Sequence, residues 1–132
     1  MHLNPLSSFW GPPHNDYSAV IKITFKKTSF LLCGDAGIAS EEEILSLNTE
    51  LHADVIKIAH HGSSTSTSIR FLERVRPELA IISVGRGNAF GLPSPELIGR
   101  LAAFNIGVLR TDIKGTIILT SDGNRIWLEE SK

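Results

Sequence analysis

Three short polar clusters interrupt the apolar stretches of this sequence, and each contains side chains able to bind metal or move protons. Gly34-Asp35 follows the run FLLC, His60-His61-Gly62-Ser63 follows DVIKIA, and Gly85 to Asn88 follows LAIISV. A carboxylate and imidazoles arriving on neighbouring elements are what a divalent cation needs, because ligands held from different segments fix its geometry. One carboxylate carries two oxygens, so a single Asp can also bridge two metal ions. Each residue also has a plainer reading. An Asp after Gly suits a turn or a helix cap, a His pair is commonly a surface or packed imidazole pair, and a Ser/Thr run such as Ser63 to Ser68 suits a loop or a cap. Cys33 lies inside an apolar stretch and reads as a small buried hydrophobe. Asp112 reads as a turn residue. His2, His14 and His52 stand in no pattern and receive no role.

The elements that must position these clusters follow from hydrophobic periodicity. Residues 1–18, rich in Pro, Ser, Gly and Asn, read as an irregular N-terminal arm, with Phe9 and Trp10 as candidates to pin it. Residues 19–25 and 29–35 read as strands joined by a turn at Lys26 to Thr28, and so as an antiparallel pair. Ser40 with Glu43 has the spacing of a capping box, with Ile44, Leu45 and Leu47 as the inner face of the helix that follows. Residues 54–59 and 79–85 read as further strands. Ile69, Leu72 and Val75 mark a helix ended by Pro77, and Ser94-Pro95 opens another lined by Leu97, Ile98, Leu101 and Phe104. Residues 107–111, 115–120 and 125–130 read as short strands, the last two joined by a hairpin turn around Asp122-Gly123. The sum is a layered α/β (α+β) domain over residues 19–132, a mixed β-sheet with helices on one face. In such sheets ligands sit beyond the strand ends, which is where all three clusters fall. Asp35 and the His60-His61 pair are therefore expected close together.

The bulk composition bounds the function. The 132 residues carry a formal charge of −1, which argues against gripping nucleic acid over the whole surface but leaves room for a local basic strip. With 42% hydrophobic and 20% charged residues the chain can bury a core. Its single cysteine excludes an internal disulfide. No apolar run approaches the roughly 20 residues that span a bilayer, and no signal-peptide pattern opens the chain, which reads as soluble as it stands.

Taken together and in order, NDYS (15–18), FLLCGD (30–35), EEEIL (41–45), ADVIKIAHHGSSTSTS (53–68), FLERVRPELAIISVGRGNAFGLPSPELIGRL (71–101) and RTDIKGTIILTSDG (110–123) resemble a known pattern. They look like the C-terminal half of a metallo-β-lactamase-fold hydrolase domain of the ComEC competence (DNA-uptake) type. The resemblance implies a four-layer αββα sandwich that hydrolyses phosphodiester or ester bonds with two metal ions, zinc or manganese. It implies Asp35 as the bridging ligand and one of His60 and His61 as the last His ligand. It puts Asn15, Ser18, Ser63 and Asn88 near the site, and it implies a membrane-anchored parent with this domain outside the cytoplasm, acting on one DNA strand.

The chain departs from that pattern twice. No histidine here stands in the HxHxDH-like motif that supplies most of the ligands, and the loop that usually reads N-x-(aromatic)-G-H-P has Leu92 in place of the His. Three readings follow. In the first the chain is the C-terminal portion of a hydrolase, inactive alone and completed by the missing N-terminal half. In the second it is a degenerate structural or interaction module. In the third a second copy completes a small homodimeric enzyme.

Overall fold

The computed structural model describes residues 6–10, 20–47 and 49–129, the first of these stretches as backbone. Six strands form one sheet in sequential order: β1 (Leu6–Trp10), β2 (Val20–Phe25), β3 (Thr28–Leu32), β4 (Val55–Lys57), β5 (Leu79–Ile82) and β6 (Gly107–Arg110). The pairs β1–β2 and β2–β3 are antiparallel, and β3 through β6 run parallel. The expected antiparallel pair is therefore present, with Lys26 left-handed in the tight turn between its strands. A separate hairpin of β7 (Leu119–Ser121) and β8 (Ile126–Leu128) attaches at that turn through Lys27 N–H to Gly123 O at 2.7 Å and a Thr28–Ser121 hydroxyl contact at 2.6 Å.

Residues 1–18 do not read through as an irregular arm, because Leu6–Trp10 is a strand lying along β2. Unpaired, β2 would present a row of open N–H and C=O groups, and an extended segment nearby satisfies them.

Helices α1 (Ile38–Ser46), α2 (Ile69–Val75) and α3 (Pro95–Ala103) connect the parallel strands. Strand register gives Lys22, Leu31, Ile56, Ala80 and Val108 one face of the sheet. Of these, Leu31, Ile56 and Ala80 share a core cluster with Ile44 and Leu45 of α1, Phe71, Leu72 and Val75 of α2, and Leu97 and Leu101 of α3, with Val108 packed against it. All three helices thus bury their apolar sides on the same face. The other face carries two rows, Ile21–Leu32–Lys57–Ile81–Leu109 and Ile23–Phe30–Val55–Leu79–Gly107. Apart from Lys57 and Gly107 these are large apolar side chains, and all of them but Val55 are only half-buried.

The helix starts are set by different means. Ser68 and Ser94 cap α2 and α3 by accepting from Phe71 N and Glu96 N. The capping box expected at Ser40 is absent. The helix begins earlier, at Ile38 after Gly37, so Ser40 lies inside it and is buried. Leu47 is also not an inner-face residue: it sits at the helix C-cap and is 57% exposed. Thr111–Lys114 adds a single helical turn, α4, where the sequence suggested strand and turn.

Candidate functional site

Parallel strands β3, β4 and β5 end side by side, and the three polar clusters extend from those ends. Gly34 turns the chain out of β3 in a left-handed conformation, leaving Asp35 exposed. Across from it, His60 N–H donates to Gly34 O at 3.0 Å, so the Asp35 turn and the His60-His61 turn are in direct backbone contact. His61 in turn reaches the end of β5, its Nδ1 lying 2.7 Å from Ser83 O.

The His turn, Ala59–Gly62, is an unusual piece of backbone. His60, His61 and Gly62 are consecutively left-handed, with φ of 55°, 54° and 87°. Each non-glycine residue held there costs on the order of 1 kcal/mol. The cost is borne by the surrounding hydrogen bonds: His60 N–H to Gly34 O, Ser63 N–H to His60 O, and Ser94 N–H to Gly62 O. Gly62 admits no side chain, since a Cβ would fall 2.6 Å from Pro93 Cβ. Strain of this kind, maintained by neighbours rather than relieved, is typical of positions that must aim a side chain.

The two imidazoles differ chemically. A backbone carbonyl can only accept, so the His61–Ser83 contact puts a proton on Nδ1, and in the neutral ring Nε2 then carries the lone pair. That is the arrangement in which a histidine ligates metal, its other nitrogen donating to a fixed carbonyl. No corresponding ring contact orients His60 among the described residues. Both rings are exposed. Ser63 lies next to them, its hydroxyl 2.8 Å from that of Thr65.

Ser66 to Ser68, further along the same loop, has Ser66 and Thr67 buried and Ser68 half-buried, and is held by charges that periodicity alone did not single out. Glu41 of α1 is only 2% exposed. Its carboxylate accepts from Thr67 N–H, in a very short contact, and from Ser68 N–H at 2.9 Å. From the other side, Arg100 of α3 donates to Ser66 O at 3.0 Å and to Thr67 O at 2.7 Å. Burial pushes the Glu41 carboxyl above the usual carboxylate range, and the two N–H donors, the Ser68 side chain and the Arg100 charge pull it partly back. A sequence signal existed. Glu41 stands three and four residues before Ile44 and Leu45, on their side of the helix.

The third cluster forms an ordered loop. Asn88 holds it with four hydrogen bonds, donating to Gly85 O and Leu92 O and accepting from Phe90 N–H and Leu92 N–H. Leu92 is partly buried against the core. Beyond β6, the Thr111 hydroxyl accepts from Val84 N–H and donates to Val84 O, and Asp112 forms a two-pronged ion pair with Arg110. Cys33 is buried with its thiol driven well up by desolvation, as expected of a packed hydrophobe.

Asn15 and Ser18 lie outside the described residues. Among the described residues, no three His, Cys, Asp or Glu side chains are gathered as a metal-holding group. Asp35 and His61 have the donor chemistry of metal ligands, yet alone they fall short of the three protein ligands a catalytic zinc ordinarily has. No helix among the described residues is long and apolar enough to cross a membrane.

No protein-family model matches the chain. Individual proteins do. It is 37% identical over 103 residues to ComE operon protein 3 of Bacillus subtilis, a stretch covering 78% of this chain and 13% of that protein. It is 36% identical over 118 residues to Recombination protein 2 of Haemophilus influenzae, covering 89% and 15% respectively. It is 35% identical over 104 residues to Competence protein ComA of Neisseria gonorrhoeae, covering 78% and 15%. The matched stretch thus makes up only 13% to 15% of the length of these relatives.

Proposed function

From kinship with a competence and DNA-uptake family, which the names of its homologues support, we propose that this chain is the C-terminal portion of a metal-dependent hydrolase domain. The domain is of the metallo-β-lactamase type, it acts on a DNA strand within a longer membrane-anchored protein, and this portion is inactive by itself. The observation that carries the reading is the junction of the Asp35 turn with the His60-His61 turn at the ends of adjacent parallel strands, with His61 Nε2 left free to bind. The half-buried apolar face of the sheet supports it further, because that face is suited to meet a second sheet, from the missing N-terminal half or from a second copy.

In this reading Asp35 and His61 are two ligands of a zinc or manganese site, and the remaining ligands come from the absent half. His60 stands beside them as the alternative imidazole. When bound, such metals activate water and steady the leaving oxygen of a phosphodiester. The chain's own contribution is to hold a carboxylate and an imidazole at fixed positions on rigid strand ends. Leu92 cannot donate a proton or a hydrogen bond to a phosphate, so any such contact must come from elsewhere.

The test compares the 132-residue chain alone with the chain joined to the preceding segment of a relative. Hydrolysis of single-stranded DNA and of bis-p-nitrophenyl phosphate is followed with Mn²⁺ or Zn²⁺. The joined protein should turn over both substrates and lose that activity on Asp35→Ala or His61→Ala, while the chain alone should be inert. Joined protein that folds but stays inactive with either metal would leave the degenerate, non-catalytic module as the better reading. Activity of the chain alone, lost in the same variants, would favour the homodimeric enzyme.

A further inference from the structure

The loop that follows β5 shows an aromatic ring to solvent from a backbone built to keep it there. Phe90, at 83%, is more exposed than any other large hydrophobic side chain among the described residues. A ring in water forgoes the gain of burial, and a lone exposed apolar residue ordinarily needs no explanation. Here the loop is not a loose tip. Asn88 spends all four of its hydrogen-bonding contacts on the backbone from Gly85 to Leu92, and one of them is to Phe90 N–H itself. Gly87 and Gly91 on either side are left-handed, which lets the chain turn out and back within a few residues.

Arg86, four residues before the ring, is also exposed. Its Nε donates to Asp112 O at 3.1 Å, which anchors the guanidinium. Its two Nη groups make no hydrogen bond among the described residues. The base of the loop abuts the His turn, through Ser94 N–H to Gly62 O at 2.9 Å and the packing of Pro93 on Gly62. A flat apolar ring and an anchored cation with free donors therefore share one rigid loop beside the His60-His61 turn.

We propose that Phe90 and Arg86 form a docking surface for single-stranded nucleic acid, a base stacking on Phe90 and a phosphate bonding to Arg86. The proposal rests on the reading of the neighbouring turns as a DNA-hydrolase site and names how the strand is held there. Stacking suits any base, because every base has a π-face. A guanidinium with open N–H groups matches phosphate oxygens. A duplex hides its base faces, so only an unpaired strand can use the ring. An apolar protein partner would want a contiguous apolar patch, and the residues around Phe90 in the loop are Gly87, Asn88, Ala89 and Gly91. The chain's net charge of −1 supplies no broad attraction for DNA, so the ring should carry a large share of the binding.

The experiment is fluorescence anisotropy of a labelled oligothymidylate of about ten nucleotides, within the span of single-strand sites. It uses the 132-residue chain in EDTA, where no metal is available and no cleavage can occur. Phe90→Ala should weaken binding about tenfold at every salt concentration, and Phe90→Trp should restore it. Arg86→Ala should weaken it less and flatten the salt dependence by about one counterion. With an abasic oligonucleotide of the same length, Phe90→Ala should have no effect. Urea midpoints equal to wild type would show that the variants fold. Wild-type chain that does not bind the oligonucleotide, or binds it equally well after Phe90→Ala, overturns the proposal. Because hydrolysis requires metal and this binding does not, Phe90-dependent binding with an inactive joined protein would retain the docking surface while removing the hydrolase reading. Hydrolysis without Phe90-dependent binding would do the reverse.

Discussion

Two loops flank the His60-His61 turn, and they are held by opposite means. Ser66 to Ser68 is largely buried and gripped by two charged side chains, Glu41 on its N–H groups and Arg100 on its carbonyls. Gly85 to Leu92 is largely exposed and held by one neutral amide, Asn88. The difference follows from surroundings. Inside the molecule, backbone groups cannot turn to water, so each needs a strong partner, and a charge is stronger than an amide where water is excluded. At the surface water competes, and a side chain that satisfies four backbone groups at once is enough to shape the loop. One loop is part of what keeps the molecule folded. The other can present side chains outward at little cost to stability.

That contrast can be broken most directly at Glu41. Glu41→Ala leaves the buried Thr67 N–H and the part-buried Ser68 N–H without an acceptor and should destabilise the chain by about 3 kcal/mol. Urea unfolding measures it, and a loss under about 1 kcal/mol would mean the loop finds other partners. The pH dependence sharpens the point. Burial raises the Glu41 carboxyl in the folded state, so the folded chain keeps a proton that the unfolded chain has already lost. The stability tied to that proton is fully present below the ordinary carboxylate pKa. It is lost as pH rises through the raised folded value, with a slope no steeper than about 1.4 kcal/mol per pH unit. Glu41→Gln should remove this component from a stability profile taken across the acidic range, and an unchanged profile would mean the carboxyl is not shifted upward. The smallest expected effect lies in the exposed loop. Asn88→Ala should cost about 1 kcal/mol or less, because freed backbone groups there can turn to water. Hydrogen exchange at the Phe90 and Leu92 amides should nonetheless accelerate markedly. A loss of stability as large as that from Glu41→Ala would erase the distinction between the two loops.

Much of this architecture could be read from local patterns. The strands, the tight turn at Lys26, and the caps at Ser68 and Ser94 follow from alternation and from side chains that bond backbone a few residues away. The placement of Asp35, His60 and His61 at strand ends followed in the same way, since an apolar run that stops at polar residues marks where a buried strand emerges. The expected capping box failed because Gly37 already lets α1 begin at Ile38, which carried Ser40 and Glu41 into the helix and inward.

The sequence by itself determined which residues could form strands, helices and turns, and which polar groups would emerge together at one edge of the sheet. Those properties depend on neighbours within a turn or two of the chain. Only the tertiary structure decided that His61 rather than His60 has its ring oriented by a carbonyl, because that carbonyl belongs to Ser83, 22 residues away. Only it decided that Glu41 is the acid turned inward onto Thr67 and Ser68, across 26 and 27 residues, or that Leu6–Trp10 completes the sheet. Such contacts depend on how separate elements lie against one another, and the desolvation that makes a buried carboxylate or a fixed imaidazole consequential arises only once those elements have packed.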